Sequence, residues 1–147
     1  MSHPKTEGFR FLEHTSDVII EAWGPTLETA FVHTAEAFYE TMLNVRTVEA
    51  IFEEQVKVQG HDEKELLYNW LEVLLLKFEI ERMVYSRFHI NPISDKTSIL
   101  SLQAKIKGEK YAPQKHGAKV EIKGITYHLM RIDKQQSGTT VQILLDL

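Results

Sequence analysis

The chain has 147 residues and a formal net charge of −4, with 17 lysines and arginines against 21 acids and no cysteine. That length suits one domain with a full hydrophobic core. The missing cysteines exclude disulfides, thiolate zinc centres and a cysteine nucleophile, and fit a reducing compartment. The acidic balance argues against a protein that clings non-specifically to DNA or RNA. No run approaches the ~20 apolar residues of a membrane span, and "MSHPKTEG" lacks the apolar stretch of a signal peptide. The expectation is a cytoplasmic protein with no membrane or DNA partner, a single domain over 1–147, and residues 1–8 as a disordered tail.

In chain order, residues 9 to 13 and 18 to 23 read as two short strands. Between them lies the polar run Glu13-His14-Thr15-Ser16-Asp17. "GPTLETAFVHTAEAFYETML" reads as a helix capped by Thr26, with Leu27, Ala30, Phe31, Thr34, Phe38 and Met42 on one face. A strand is expected from about residue 48 to 59. "HDEKELLYNWLEVLLLKFEIER" has the strongest helical pattern, opened by the capping pair Asp62 and Glu65. Its broad apolar face calls for a helix lodged against a sheet.

The second half alternates. "MVYSRFHI", "SILSLQAKIKG", "AKVEIKG", "ITYHLMRI" and "TTVQILLDL" each have the two-residue period of strands. Asn91-Pro92, Gly108 and Ser137-Gly138 punctuate them, and Gly124 marks a bulge or bend. Two helices among mostly hairpin-connected strands define an α+β fold with mixed or antiparallel sheets.

The common catalytic motifs, from the nucleophile elbow to the phosphate loop, are absent. Four polar places stand out: the run ending in Asp17, Lys123, the pair Tyr127-His128 in an apolar strand, and Asp146 after Ile143-Leu144-Leu145. A strand at the chain end is expected to be docked. Aspartate beside the terminal carboxylate concentrates negative charge, and oxygen-rich clusters suit hard cations such as Ca²⁺ or Mg²⁺. Each residue also has a plainer reading. Asp17 serves an Asx-turn, His14 and His128 are hydrogen-bonded histidines, and Lys123 is a solvated strand residue. Lys105, Lys107, Lys110, Lys115, Lys119 and Lys123 raise direct tRNA binding. Glu109 and Glu121 among them make a solvated sheet face the safer reading.

"GFRFLEHTSDVIIEAWG", "AFVHTAEAFYETM", "KGITYHLMRI" and the terminal "VQILLDL" together resemble the archease family, in order and over the whole chain. Ser16 and Gly124 stand where alanine is common in that family, and both are small. The resemblance implies an accessory protein of the RtcB-type RNA ligase of tRNA splicing. Such a protein promotes guanylylation and turnover of the ligase, meets tRNA only indirectly, and is not itself catalytic. It also implies a divalent metal, Ca²⁺ first with Mg²⁺ or Mn²⁺ as alternatives. That metal would be held by Asp17 and Asp146 with the backbone or terminal carboxyl of Leu147. Lys123, His14 and His128 match motif positions as functional or partner-site residues. The competing readings are a metal-dependent phosphohydrolase and a chaperone-like interaction module.

Overall fold

A computed structural model describes residues 6–14 and 16–147. Strand β1, Gly8–His14, pairs antiparallel with β2, Asp17–Gly24. Helix α1, Leu27–Met42, follows. The Thr26 hydroxyl accepts from the Thr29 N–H at 3.1 Å, satisfying one of the amides that an α-helix leaves unpaired at its start. A single 3₁₀ turn, Val45–Thr47, leads to β3, Phe52–Gly60. Helix α2, Glu63–Glu81, is capped by Asp62, which accepts from the Glu65 N–H at 2.8 Å. Strands β4, Met83–Ile90, and β5, Leu100–Lys110, come next, then the four-residue α3, Pro113–His116. Strands β6, Gly124–Gln135, and β7, Gly138–Asp146, end the chain.

The strands form two antiparallel sheets, in the orders β1-β2-β7-β6 and β3-β5-β4. Helix α1 packs on β2, β7 and β4, and α2 on β6 and β3, so each helix touches both sheets and the core gathers around the two helices. Phe31, Phe38, Tyr39, Leu71, Leu74 and Trp70 are fully buried there. The Trp70 indole N–H donates to the Phe31 carbonyl at 3.1 Å and ties α2 to α1. Among the described residues no helix is long and apolar enough to cross a membrane.

The α+β architecture agrees with the sequence, but three details differ. "AKVEIKG" is not a strand. The Gly117 turn, at φ 78°, precedes it, and its amides bond elsewhere. Lys119 N–H donates to Met42 O at 2.9 Å and Lys123 N–H to Asp146 O at 2.7 Å. These bonds lace the segment to the end of α1 and to β7 instead of to a ladder. Lys123 therefore lies on a connection, not at the end of a strand. Gly124 opens β6, and the irregularity lies farther on, between Thr126 and Arg131. Strand β3 starts at Phe52, not near residue 48. Residues 1–5 lie outside the described residues. Glu7 is held by His33 at 2.6 Å, and Gly8 already belongs to β1.

Candidate functional site

The two central strands of the four-stranded sheet run antiparallel, and their register sets Asp17 directly opposite Asp146. Facing residues of an antiparallel pair project to the same side, with Cβ atoms about 4.5–5.5 Å apart. Val18 and Ile20 on β2, with Ile143 and Leu145 on β7, belong to the hydrophobic core, so the two aspartates lie on the opposite side with Leu144, which is buried outside that core. Asp17 is half-buried and Asp146 exposed. Like charges directly opposite on one sheet face repel. Among the described residues neither carboxylate has a side-chain hydrogen bond or ion pair to offset this.

The ends of the segments close around the pair. Leu147 N–H donates to Ser16 O at 3.2 Å, and its side chain packs against the core, so the last residue is docked. On the other flank Gly124 faces Asp146. A methyl group at Gly124 would meet nothing within 4 Å, so the space beside Asp146 is open. Lys123 is bonded through its amide to the Asp146 carbonyl. Asp17, Asp146, Leu147 and Lys123, distant in sequence, thus meet at one end of the sheet.

The histidines stand differently. His14 pairs with Val18 through its backbone, one residue from Asp17, next to an irregularity in the β1–β2 ladder. Its side chain, with Glu13 and Thr15, lies outside the described residues. His128 is exposed in the irregular stretch of β6, its amide donating to the Thr126 hydroxyl at 3.1 Å, and so lies beyond the row that holds Gly124 and Asp146. In that stretch Leu129 has φ 61°, a conformation costly for a branched side chain. Leu129 and Tyr127 are both exposed. Tyr127 stacks on Tyr68 of α2 at 4.6 Å between ring centroids. Burial, then the charge of Glu65, pushes its phenol above the ordinary value. The sequence singled out Tyr127 and His128, but nothing in it marked Leu129 as strained.

The donor chemistry suits a hard cation in part. Two carboxylates and the main-chain oxygens of Leu147 are oxygen donors beside open space. Among the described residues no group of three or more His, Cys, Asp or Glu side chains comes together. Ca²⁺ takes about six to eight oxygens, so a cation here would draw most of its ligands from main chain, water or a second molecule.

Two antiparallel sheets around a helix pair, with an acidic cross-strand pair at one sheet end, define an α+β protein whose distinctive chemistry sits at a strand terminus rather than in an enclosed cleft. The chain belongs to the archease family: the model of the Archease protein family matches residues 9–147. It is 37% identical to the protein archease of Sulfurisphaera tokodaii over 139 residues, covering 95% of this chain and 98% of that one. With the protein archease of Pyrococcus furiosus the identity is 41% over 126 residues, covering 86% and 88%. Among solved structures, the solution structure of Methanobacterium thermoautotrophicum protein 1598 superposes with a TM-score of 0.83 at 33% identity, over 95% of this chain and 99% of that one. An archease from Thermotoga maritima, described as a possible chaperone, shares the fold at a TM-score of 0.58 and 17% identity, over 100% and 98%.

Proposed function

We propose that this chain is a non-catalytic accessory factor of an RtcB-type RNA ligase, acting through the sheet end that carries Asp17 and Asp146. The observation that carries the reading is the register of β2 against β7, which sets the two carboxylates of the family-like motifs face to face. A divalent cation, Ca²⁺ first and Mg²⁺ or Mn²⁺ otherwise, would be held by Asp17, Asp146 and the main chain of Leu147. Bound there, it would supply positive charge for phosphate oxygens.

The remaining work belongs to the chain's own groups. The Leu147–Ser16 and Lys123–Asp146 backbone bonds hold the strand ends in register, so both carboxylates are presented together. The absent side chain at Gly124 leaves room for a partner's group to approach Asp146. Lys123, whose amide bonds the Asp146 carbonyl, would offer its ammonium to a phosphate of the ligase's nucleotide. The cytoplasm, where tRNA halves and ligase would meet the protein, is the compartment this reading requires. The acidic end also suits a ligase that presents a basic RNA channel, since opposite fields speed encounter.

The test is RNA ligation with ligase well below substrate. Wild-type protein is expected to restore many turnovers, while folded Asp17→Ala and Asp146→Ala variants fail. Full activity from both variants would make the carboxylates structural. No effect of the wild type would move the phosphohydrolase and chaperone readings forward.

A further inference from the structure

The three-stranded sheet has one face on the helices and, among the described residues, one face bare. On the bare face the register aligns Arg87 of β4 with Lys107 of β5, and His89 with Lys105. Lys107 in turn faces Glu53 of β3, and Lys105 faces Gln55. An irregularity between Tyr85 and Arg87 sets this phase, because it shifts Arg87 and His89 outward after two consecutive buried residues. Arg46, from the 3₁₀ turn, joins Arg87, Lys105 and Lys107 along an open groove of about 700 Å³ that also holds Glu36 and Glu53. The groove continues over the same sheet past Gln55, Lys57, Asn91 and Gln103.

Most of the cations here are not neutralised. Among the described residues Arg46, Arg87, Lys105 and Lys57 have no ion-pair partner, and Lys107 has only Glu53, at 3.7 Å. Elsewhere, among the described residues, Lys77, Lys115, Lys119 and Lys134 are each paired with an acid, whereas Lys64, Lys96 and Lys123 are not. Net charge is nevertheless unevenly distributed. Seventeen cations and twenty-one acids give the chain −4, and setting aside this face's five cations and two acids leaves −7 for the rest. The facing cations Arg87 and Lys107 cost stability in the absence of an anion.

We propose that this sheet face binds the phosphodiester backbone of single-stranded nucleic acid, independently of sequence. The rows Arg87–Lys107 and His89–Lys105 are about 6.7 Å apart, two residues along an antiparallel strand, so long cationic side chains reach successive phosphates. Gln55, Gln103 and Asn91 carry amides that both donate and accept, able to meet sugar and base edges. The outward positions of the three strands at the groove are polar or charged. Phe88 also lines the groove but is half-buried and stacked on Tyr39 of the core, so the face offers little apolar anchor and a protein partner is disfavoured. The proposal makes contact with RNA direct where the family resemblance implies an indirect one. It does not rest on the ligase reading.

Fluorescence anisotropy of a labelled 12-nucleotide single-stranded RNA, titrated with the full chain at several salt concentrations, tests it. Binding is expected at 50 mM salt, weakening with a slope of about −2 to −3 in log K against log salt, at roughly −0.7 per phosphate contacted. A DNA strand of the same sequence is expected to bind alike. The exposed triple variant R87A/K105A/K107A, folded by circular dichroism, is expected to bind at least tenfold more weakly and to lose about two units of slope. Lys64→Ala, exposed in the first turn of α2 and outside the groove, is expected to change nothing. The proposal is overturned if RNA does not bind at 50 mM salt or if the triple variant binds as the wild type. Competition by polyglutamate as effective as that by RNA would overturn it equally, in favour of an acidic protein.

Discussion

Glu109 and Asp17 are carboxylates in opposite circumstances. Glu109 is buried, accepts from the Glu49 N–H at 2.8 Å and is paired with Lys115. His116, whose Nδ1 accepts from the Ala112 N–H at 3.0 Å, donates its Nε2–H to Glu109 at 2.9 Å. Burial alone would raise the Glu109 carboxyl, but these three donors outweigh it and hold it down at about 2. Its contribution to stability is whole above the ordinary glutamate value of about 4.3 and drains away as pH falls toward the folded value. Glu109→Gln is expected to lower the unfolding free energy at neutral pH by roughly 1–3 kcal/mol. Denaturant titrations should show the gap to wild type closing as the pH is lowered from the ordinary carboxylate range toward 2, and a gap independent of pH would contradict this. Asp17 faces Asp146 uncompensated. In a chelator Asp17→Asn should therefore stabilise the protein, by about 0.2–1 kcal/mol in thermal melts. Destabilisation in chelator would mean that the carboxylate has a structural partner.

The elements themselves were mostly legible, because their apolar periods were clean. Thr26 and Asp62 cap the helices the sequence assigned to them, and the alternation in "MVYSRFHI" gives β4 its bounds. The misreading of "AKVEIKG" has a definite cause: alternation is necessary for a half-buried strand but not sufficient, and this segment has the carbonyls of α1 for partners instead of a free strand. Glycine positions separate the same way. Gly108 lies on the middle strand, where a Cβ would run into the Val84 carbonyl and sit 2.7 Å from the Tyr85 Cα. Gly108→Ala is expected to cost about 1–3 kcal/mol and to push β4 off β5. Gly124→Ala meets open space and should cost less than about 0.5 kcal/mol. Paired unfolding titrations distinguish the two, and equal losses would contradict the packing described.

At the scale of the whole molecule, two facts lay beyond reading from residues alone. Which strand pairs with which, and in what register, decides that Asp17 meets Asp146 and that Arg87 and His89 join Lys107 and Lys105. Neither pairing has a local signature, because the partners are contributed by segments far apart in the chain. The likeness of the quoted motifs to a family bridges that gap for the acidic end. Nothing bridges it for the basic face, because its lysines are interspersed with acids along the chain and Arg46 and Arg87 come from other segments. The fold keeps the two charged regions on separate sheets, an acidic strand end on one and an uncovered cationic face on the other.

The central claim is that Asp17 and Asp146 act as one site on the ligase. A double-mutant cycle in multiple-turnover RNA ligation measures this directly, with Asp17→Asn, Asp146→Asn and the double variant each confirmed folded. One shared site predicts that either substitution alone abolishes most of the stimulation and that the double variant loses scarcely more. Losses that simply multiply would show two independent residues, and would contradict the site described.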